Sequence, residues 1–182
     1  MIVNSTEDLM KNRQKIALQN IQSLFSTQRL AVLATQYNGY PYTSLMAFAS
    51  TSDLKNILLL TSMSTTKYDY LTACPNVSLL IHNSQNFSNH KGDDVAVTAI
   101  GTASTVSGLD KKKLLATFLD HHPSLTKFAL EQTTALISVA ITKYIMVSQF
   151  QNKIEIPVSL SMSKINDPVA ANKIDPVSTK KY

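Results

Sequence analysis

One cysteine, four glycines and two arginines in 182 residues are shortages that each close a class of function. Cys74 alone can build neither an internal disulfide framework nor a paired-thiol zinc motif, and His82, His90, His121 and His122 lack the H-E-x-x-H spacing. A metalloprotease is excluded, and no metal site is expected. Gly39, Gly92, Gly101 and Gly108 are too scattered for G-x-G-x-x-G or a Walker loop, so Rossmann and P-loop readings fall. Arg13 and Arg29 are the only arginines, whereas a nucleic-acid reader leans on arginine for bidentate contacts to phosphate and guanine. The formal charge of +5 is spread thinly along the chain, and no nucleic-acid partner is expected. The first eight residues are polar and acidic where a signal peptide would be basic and then apolar, and no apolar run reaches the ~18 residues of a membrane helix. The reading is a cytoplasmic protein without a membrane partner.

What is present suits one globular domain with a tail: 44% of positions are hydrophobic and 16% charged. A domain near this size buries about two-thirds of its unfolded surface and needs no covalent staple. Ser5 and Asp8 have capping-box spacing ahead of Leu9, Ile16, Ile21, Leu24 and Phe25, which predicts an amphipathic helix to Ser26. From Arg29 the period shortens. Leu30–Thr35, an Asn38-Gly39 turn and Pro41–Ala49 make a hairpin, and the continuous run Ile57–Thr61 suits a strand covered on both faces. A short helix over Tyr68–Cys74 stops at Pro75. Val77–His82 and Asp94–Val106 follow as strands, the second broken at Gly101. Asp110 is placed as the cap of a helix running to His121, with a short helix after Pro123. Ala135–Phe150 reads as a long, bending strand that pairs with Ile154–Val158 across Gln151-Asn152-Lys153. The fold class is therefore mainly β with peripheral helices, a six- to seven-stranded closed or split barrel, with a sandwich as the rival. Residues 1–28 form a helix on the barrel, 29–158 the barrel, and 159–182 a tail or arm.

The polar residues of Thr61-Ser62-Met63-Ser64-Thr65-Thr66-Lys67 sit where a strand ends and a helix begins. Free amides, a positive dipole end, hydroxyl donors and one ammonium can together receive a phosphate without glycine. A Ser/Thr-rich turn with a surface lysine accounts for the same residues. His121-His122 reads as a solvated pair at a helix end, Cys74 as a structural thiol, Lys111-Lys112-Lys113 as a solvated face, and Asn83 and Asn86 as turn formers.

Ala31-Val32-Leu33-Ala34-Thr35, Asn38-Gly39-Tyr40-Pro41, Thr61 to Lys67, Leu71, Pro75 to Leu80 and Ile100-Gly101-Thr102-Ala103, taken in order, resemble the pyridoxamine 5′-phosphate oxidase-like, FMN-binding split-barrel superfamily. The resemblance covers residues 29–150. It implies a homodimer with FMN at the subunit interface, the phosphate at Thr61, Ser62, Thr65, Thr66 and Lys67, and Ser44, Leu45, Met46 and Ala47 along the ring and ribityl chain. Met46 and Phe48 fit either an apolar wall for the ring or ordinary core. Thr66 and Ser44 stand where the vitamin B6 oxidase has arginine, and no arginine follows Arg29, so activity on pyridoxamine phosphate is rejected. The resemblance thus implies an FMN-dependent oxidoreductase with a small-molecule electron donor or acceptor, its catalytic residues unassigned. A non-catalytic flavin carrier or redox sensor, and haem or deazaflavin binding on the same barrel, stand as alternatives.

Overall fold

The computed structural model describes residues 3–83, 95–148 and 152–158. In chain order the elements are α1 (Val3–Thr27), β1 (Leu30–Tyr37), β2 (Tyr40–Ser50), β3 (Asn56–Ser62), α2 (Thr66–Ala73), β4 (Asn76–His82), β5 (Val95–Thr105), α3 (Asp110–His121), a 3-10 turn over Pro123–Leu125, α4 (Thr126–Ala129), β6 (Thr134–Ser148) and β7 (Asn152–Pro157). All pairings are antiparallel, in the order β3-β2-β1-β4-β5-β6-β7, and a further β3–β6 pairing closes six strands into a barrel with β7 outside the ring. The mainly β expectation, with peripheral helices and six to seven strands, therefore holds.

Closure rests on β6. Its Thr134–Ala140 half pairs with β3 and its Lys143–Ser148 half with β7, both on the same edge. Thr142 is the extra residue between them: Lys143 faces Ile100 while Ile141 faces Gly101. A bulge flips the side-chain alternation, so Ala135, Ile137, Val139 and Ile141 point into the core before it and Tyr144 and Met146 after it. Opposite the bulge, a Cβ on Gly101 would collide with the Ala140 carbonyl oxygen and crowd the Val139 side chain at 3.0 Å. The glycine is there for backbone approach.

The hairpin turn takes left-handed geometry at Asn38 (φ 50°) and Gly39 (φ 81°), as an Asn-Gly pair in a two-residue turn should. One end of the barrel is plugged by α1, whose Ala17, Ile21, Leu24 and Phe25 recur at helical spacing and are buried. Phe25 meets Phe48 and Tyr144 edge to face at 5.4 and 5.9 Å. As the continuous run foretold, β3 is covered on both sides. Ile57 and Leu59 face the barrel core, and Leu58 and Leu60 join Phe118 of α3 and Ala129 of α4 outside it.

Three local expectations change. The chain is already helical at Val3, so Ser5 lies inside α1 and not at its cap. Leu109 occupies the N-cap of α3, which puts Asp110 in the first turn, where its carboxylate complements the helix dipole instead of capping. Asn152 and Lys153 pair with Ser148 and Val147 as part of β7, so the ladder extends into the expected turn. Phe150, Gln151 and the tail 159–182 lie outside the described residues, as do Asn86, His90 and Asp94.

Replacing Gly101 by Ala should force β5 and β6 apart at the bulge and cost about 1–3 kcal/mol, as overpacking does. Urea denaturation checks this, and an unchanged midpoint would show that the ladder yields there freely.

Candidate functional site at the split between two strands

The first break in the barrel wall lies between β2 and β3. Their pairing runs from Ser50–Ile57 to Phe48–Leu59 and stops, although β2 still has Tyr40–Ala47 to its credit and β3 continues to Ser62. Beyond that rung β2 stays with β1 and β3 stays with β6 along their full lengths. Ser44, Leu45, Met46 and Ala47 are thus laddered to β1 (Leu33, Val32, Ala31, Leu30), while the β3 side of this stretch has no strand against it among the described residues. Backbone groups on an unpaired edge are available to a ligand.

Across the gap lies the hydroxyl cluster. Thr61 is buried at the end of β3. Thr65 Oγ1 donates to the Ser62 carbonyl at 2.8 Å, Thr61 Oγ1 reaches the same carbonyl at 3.3 Å, and the two threonine hydroxyls lie 3.2 Å apart. Ser62 and Ser64 share a hydroxyl bond of 2.9 Å, and the Ser64 amide donates to Ser62 Oγ at 3.3 Å. With its side chain turned back into the loop, Thr65 makes no side-chain cap of α2. The first amides of the helix, at Thr66 and Lys67, therefore keep the capacity that a cap would have taken. Thr66 is exposed and Lys67 half-buried. Lys67 forms no ion pair among the described residues, and Asp69 in the first turn is the one acid at this helix end.

The structure brings Thr61, Ser62 and Thr65 into one hydrogen-bonded group and sets Thr66 and Lys67 directly after it. Ser44–Ala47 form the opposite edge. Met46 and Phe48 resolve as core, with side chains inside the barrel, so β2 can serve a ligand here chiefly through its backbone, Ser44 and the exposed Leu45. Ser44 Oγ is buried without a hydrogen-bond partner. Thr134, which faces Ser62 across the β3–β6 ladder, carries a second such hydroxyl. Sequence reasoning missed Thr134, because only the ladder register brings it beside Ser62.

The histidine pair departs from the solvated reading. His122 is buried and its Nε2 lies 2.8 Å from the Phe48 carbonyl; with a carbonyl as partner, Nε2 carries the proton and donates. Burial holds this imidazole below the ordinary histidine range, the Phe48 hydrogen bond opposes that, and the charges of His121 and Arg29 add to the depression. The helix end did not leave it in water because Phe118 and the 3-10 turn fold the chain back over β2. Cys74 is partly buried and accepts a hydrogen bond from Gln36 Nε2 at 2.9 Å, in keeping with a structural thiol. Lys111, Lys112 and Lys113 are exposed as expected.

A closed antiparallel barrel that opens between two strands beside a hydroxyl-rich helix start defines a split β-barrel protein. The model of the pyridoxamine 5′-phosphate oxidase family matches residues 17–147, and the chain belongs to that family. Three solved structures share the fold. The haem-binding protein of Mycobacterium smegmatis superposes with TM-score 0.65 at 16% identity over 72% of this chain, which spans 54% of that protein. The haem storage protein HutZ of Vibrio cholerae gives 0.59 at 16% identity, covering 68% of this chain and 88% of that one. An FAD-binding protein of Mesorhizobium loti gives 0.56 at 19% identity, covering 71% and 90%. At such identities the likeness carries the fold. No curated protein matches the chain. Among the described residues no group of three or more His, Cys, Asp or Glu could hold a metal, and no helix is long and apolar enough to cross a membrane.

The unfolded chain protonates a histidine near pH ~6.5, while the folded protein resists protonation of His122. The unfolded state therefore binds more protons between the two pKa values. The stability contributed by neutral His122 is full above ~6.5 and is lost as pH falls through that window, by at most ~1.4 kcal/mol per pH unit. Thermal melts at about pH 7.5 and about pH 5.5 should show this loss. His122→Gln, which keeps an N–H donor but does not titrate, should be less stable at the higher pH and lose much of the difference.

Proposed function

We propose that this chain is an FMN-binding flavoprotein, a homodimer that passes electrons between a reduced nicotinamide and a small acceptor. The reading rests on one observation: β2 and β3 part beside Thr61, Ser62 and Thr65, and Ser44 Oγ lies buried and unpartnered on the opposite edge. A buried hydroxyl without a partner costs ~1–3 kcal/mol, which a polar ligand group in the gap would recover. The residues present fit FMN. Hydroxyls and the first amides of α2 can donate to a phosphate, and Lys67 supplies a point charge. The edge Ser44–Ala47 offers backbone groups to a planar ring and its ribityl chain. Bound flavin would supply the hydride and one-electron chemistry, while the chain binds, orients and shields it. With Thr66 and Ser44 where the vitamin B6 oxidase has arginine, phosphate capture lacks a bidentate guanidinium, and the phosphate of a B6 vitamer has no arginine to meet it.

The homodimer is supported by the outer face of the sheet. Val32 lies between Leu45 and Leu80, with Leu30 beside it, and Leu30, Leu45 and Leu80 are 50%, 66% and 40% exposed. A contiguous apolar face that adjoins Ser44–Ala47 suits a second copy, whose approach would wall the gap. Haem is the second reading, favoured by the haem-binding Mycobacterium and Vibrio neighbours. His122 is not free to ligate iron through Nε2, since that atom is committed to Phe48.

Purified protein should bind FMN at micromolar concentration and show a flavin spectrum; a Soret band on adding haem, with no uptake of FMN, would select the second reading. Lys67→Ala should weaken FMN about 10- to 100-fold, the worth of a charge-assisted hydrogen bond of ~1.5–3 kcal/mol, and leave riboflavin affinity nearly unchanged. Equal loss of both flavins would assign Lys67 to folding instead. Light scattering should give a dimer for the native chain and a monomer for Leu80→Asp.

A further inference from the structure

Alternation along β2 sorts its backbone groups between two neighbours. The Phe48 amide donates toward β1, to the Arg29 carbonyl at 3.3 Å, and the Thr51 amide donates toward β3, to the Asn56 carbonyl at 2.9 Å. In an antiparallel ladder successive residues direct their N–H and C=O to opposite edges. Ser44, Met46 and Phe48 therefore address β1, while Leu45, Ala47 and Ala49 address the β3 side. Ala49, which pairs with Leu58, makes the last hydrogen-bonded rung to β3, and the polar groups of Ala47 and Leu45 follow it along the edge of the gap.

The Phe48 carbonyl has a different partner. Its edge of β2 faces β1, but β1 begins at Leu30, opposite Ala47, so the strand gives out at this level. The carbonyl accepts instead from His122 Nε2 at 2.8 Å, and the histidine is buried. That imidazole is itself held. Its ring lies 4.8 Å from the ring of Phe118, the His122 amide donates to the Phe118 and Leu119 carbonyls at 3.0 and 3.1 Å, and the Leu125 amide donates to the His122 carbonyl at 3.0 Å. Phe118 also shares a buried cluster with Ala49 and Leu58, the two residues of the last rung. The end of α3 thus bears on one peptide unit twice, through the oxygen of Phe48 and through the side chain of Ala49.

We propose that His122 is a positioning residue for the split. A peptide unit is planar, so fixing the Phe48 oxygen fixes the tilt of the Ala49 N–H that makes the last rung. The rung in turn sets where β2 leaves β3, and so where the Leu45 and Ala47 groups stand at the gap. Without the donor a buried carbonyl is stranded, and the peptide turns to find water. The consequence for flavin affinity rests on the flavin reading, whereas the rung does not.

Two variants of the full chain separate these roles. His122→Phe keeps an aromatic ring against Phe118 and removes the donor, and His122→Gln keeps an N–H. Amide hydrogen exchange, measured without flavin, should run about tenfold faster at Ala49 in folded His122→Phe, unchanged along the β5–β6 ladder, and return to the native rate in His122→Gln. FMN and riboflavin should both bind about tenfold more weakly to His122→Phe and recover in His122→Gln, unlike the loss of FMN alone expected for Lys67→Ala. His122→Met, whose pliant chain also lacks a donor, serves if the phenylalanine variant misfolds. A uniform rise in exchange, native exchange at Ala49 in a folded variant without the donor, or undiminished flavin affinity there would each overturn the proposal, as would failure of both such variants to fold. Native protein that takes up no flavin would overturn the flavin reading by itself, and the exchange rates would still decide the role of His122 in the rung.

Discussion

A strand fifteen residues long cannot give one edge to two different neighbours unless it turns, and β6 turns at Thr142. The extra residue lets the strand leave β3 and accept β7 while β5 follows its other edge without interruption apart from a one-residue shift. Thr142 is fastened on both sides, with its Oγ1 donating to the Ile100 carbonyl at 3.1 Å and its own carbonyl accepting from the Val158 amide at 2.8 Å. The geometry is affordable only where the facing residue has no side chain, which is why Gly101 lies opposite.

The split adjoins that closure, since both involve β3. β3 is laddered to β6 from Asn56–Ala140 to Ser62–Thr134, whereas its other edge leaves β2 past Leu59. Two strands that part leave polar backbone facing a gap, a costly arrangement unless water or a ligand occupies it. The hydroxyls of Thr61 and Thr65 are bonded to one another and that of Ser62 to Ser64, so this bank is held in place by its own hydrogen bonds. In the proposed flavin site, preorganisation of this kind would offset part of what is lost with Thr66 and Ser44 where the vitamin B6 oxidase has arginine.

The parts of the fold legible in the sequence were those with a local signature. The Asn38-Gly39 turn, the continuous run in β3 and the apolar stripe of Ala17, Ile21, Leu24 and Phe25 each announce themselves through backbone preference or periodicity. The hydroxyl segment was visible as well, since its residues are consecutive. What stayed hidden depends on register. Thr134 meets Ser62, Ser44 loses any hydrogen-bond partner, and β2 separates from β3 after one particular rung, all through pairings between residues far apart in sequence. His122 was misread for the same reason. A histidine before proline at a helix end looks solvated, and only the fold places Phe48, 74 positions away, at its Nε2.

Phe48 is where these constraints meet. Its ring lies in the core against Phe25, its amide donates to the Arg29 carbonyl at 3.3 Å, its carbonyl accepts from His122, and its pairing with Leu59 is the last rung before the split. The plug helix, the outer helix α3 and the width of the gap are therefore all referred to one backbone position. A buried hydrogen bond to a carbonyl fixes that position more narrowly than packing alone, because loss of the donor would strand the carbonyl. Met46, two residues earlier, has its side chain in the same core, so the edge Ser44–Ala47 inherits its placement from Phe48. The precision of the candidate site is thus set from the core and from the far side of the sheet, by residues that touch no ligand.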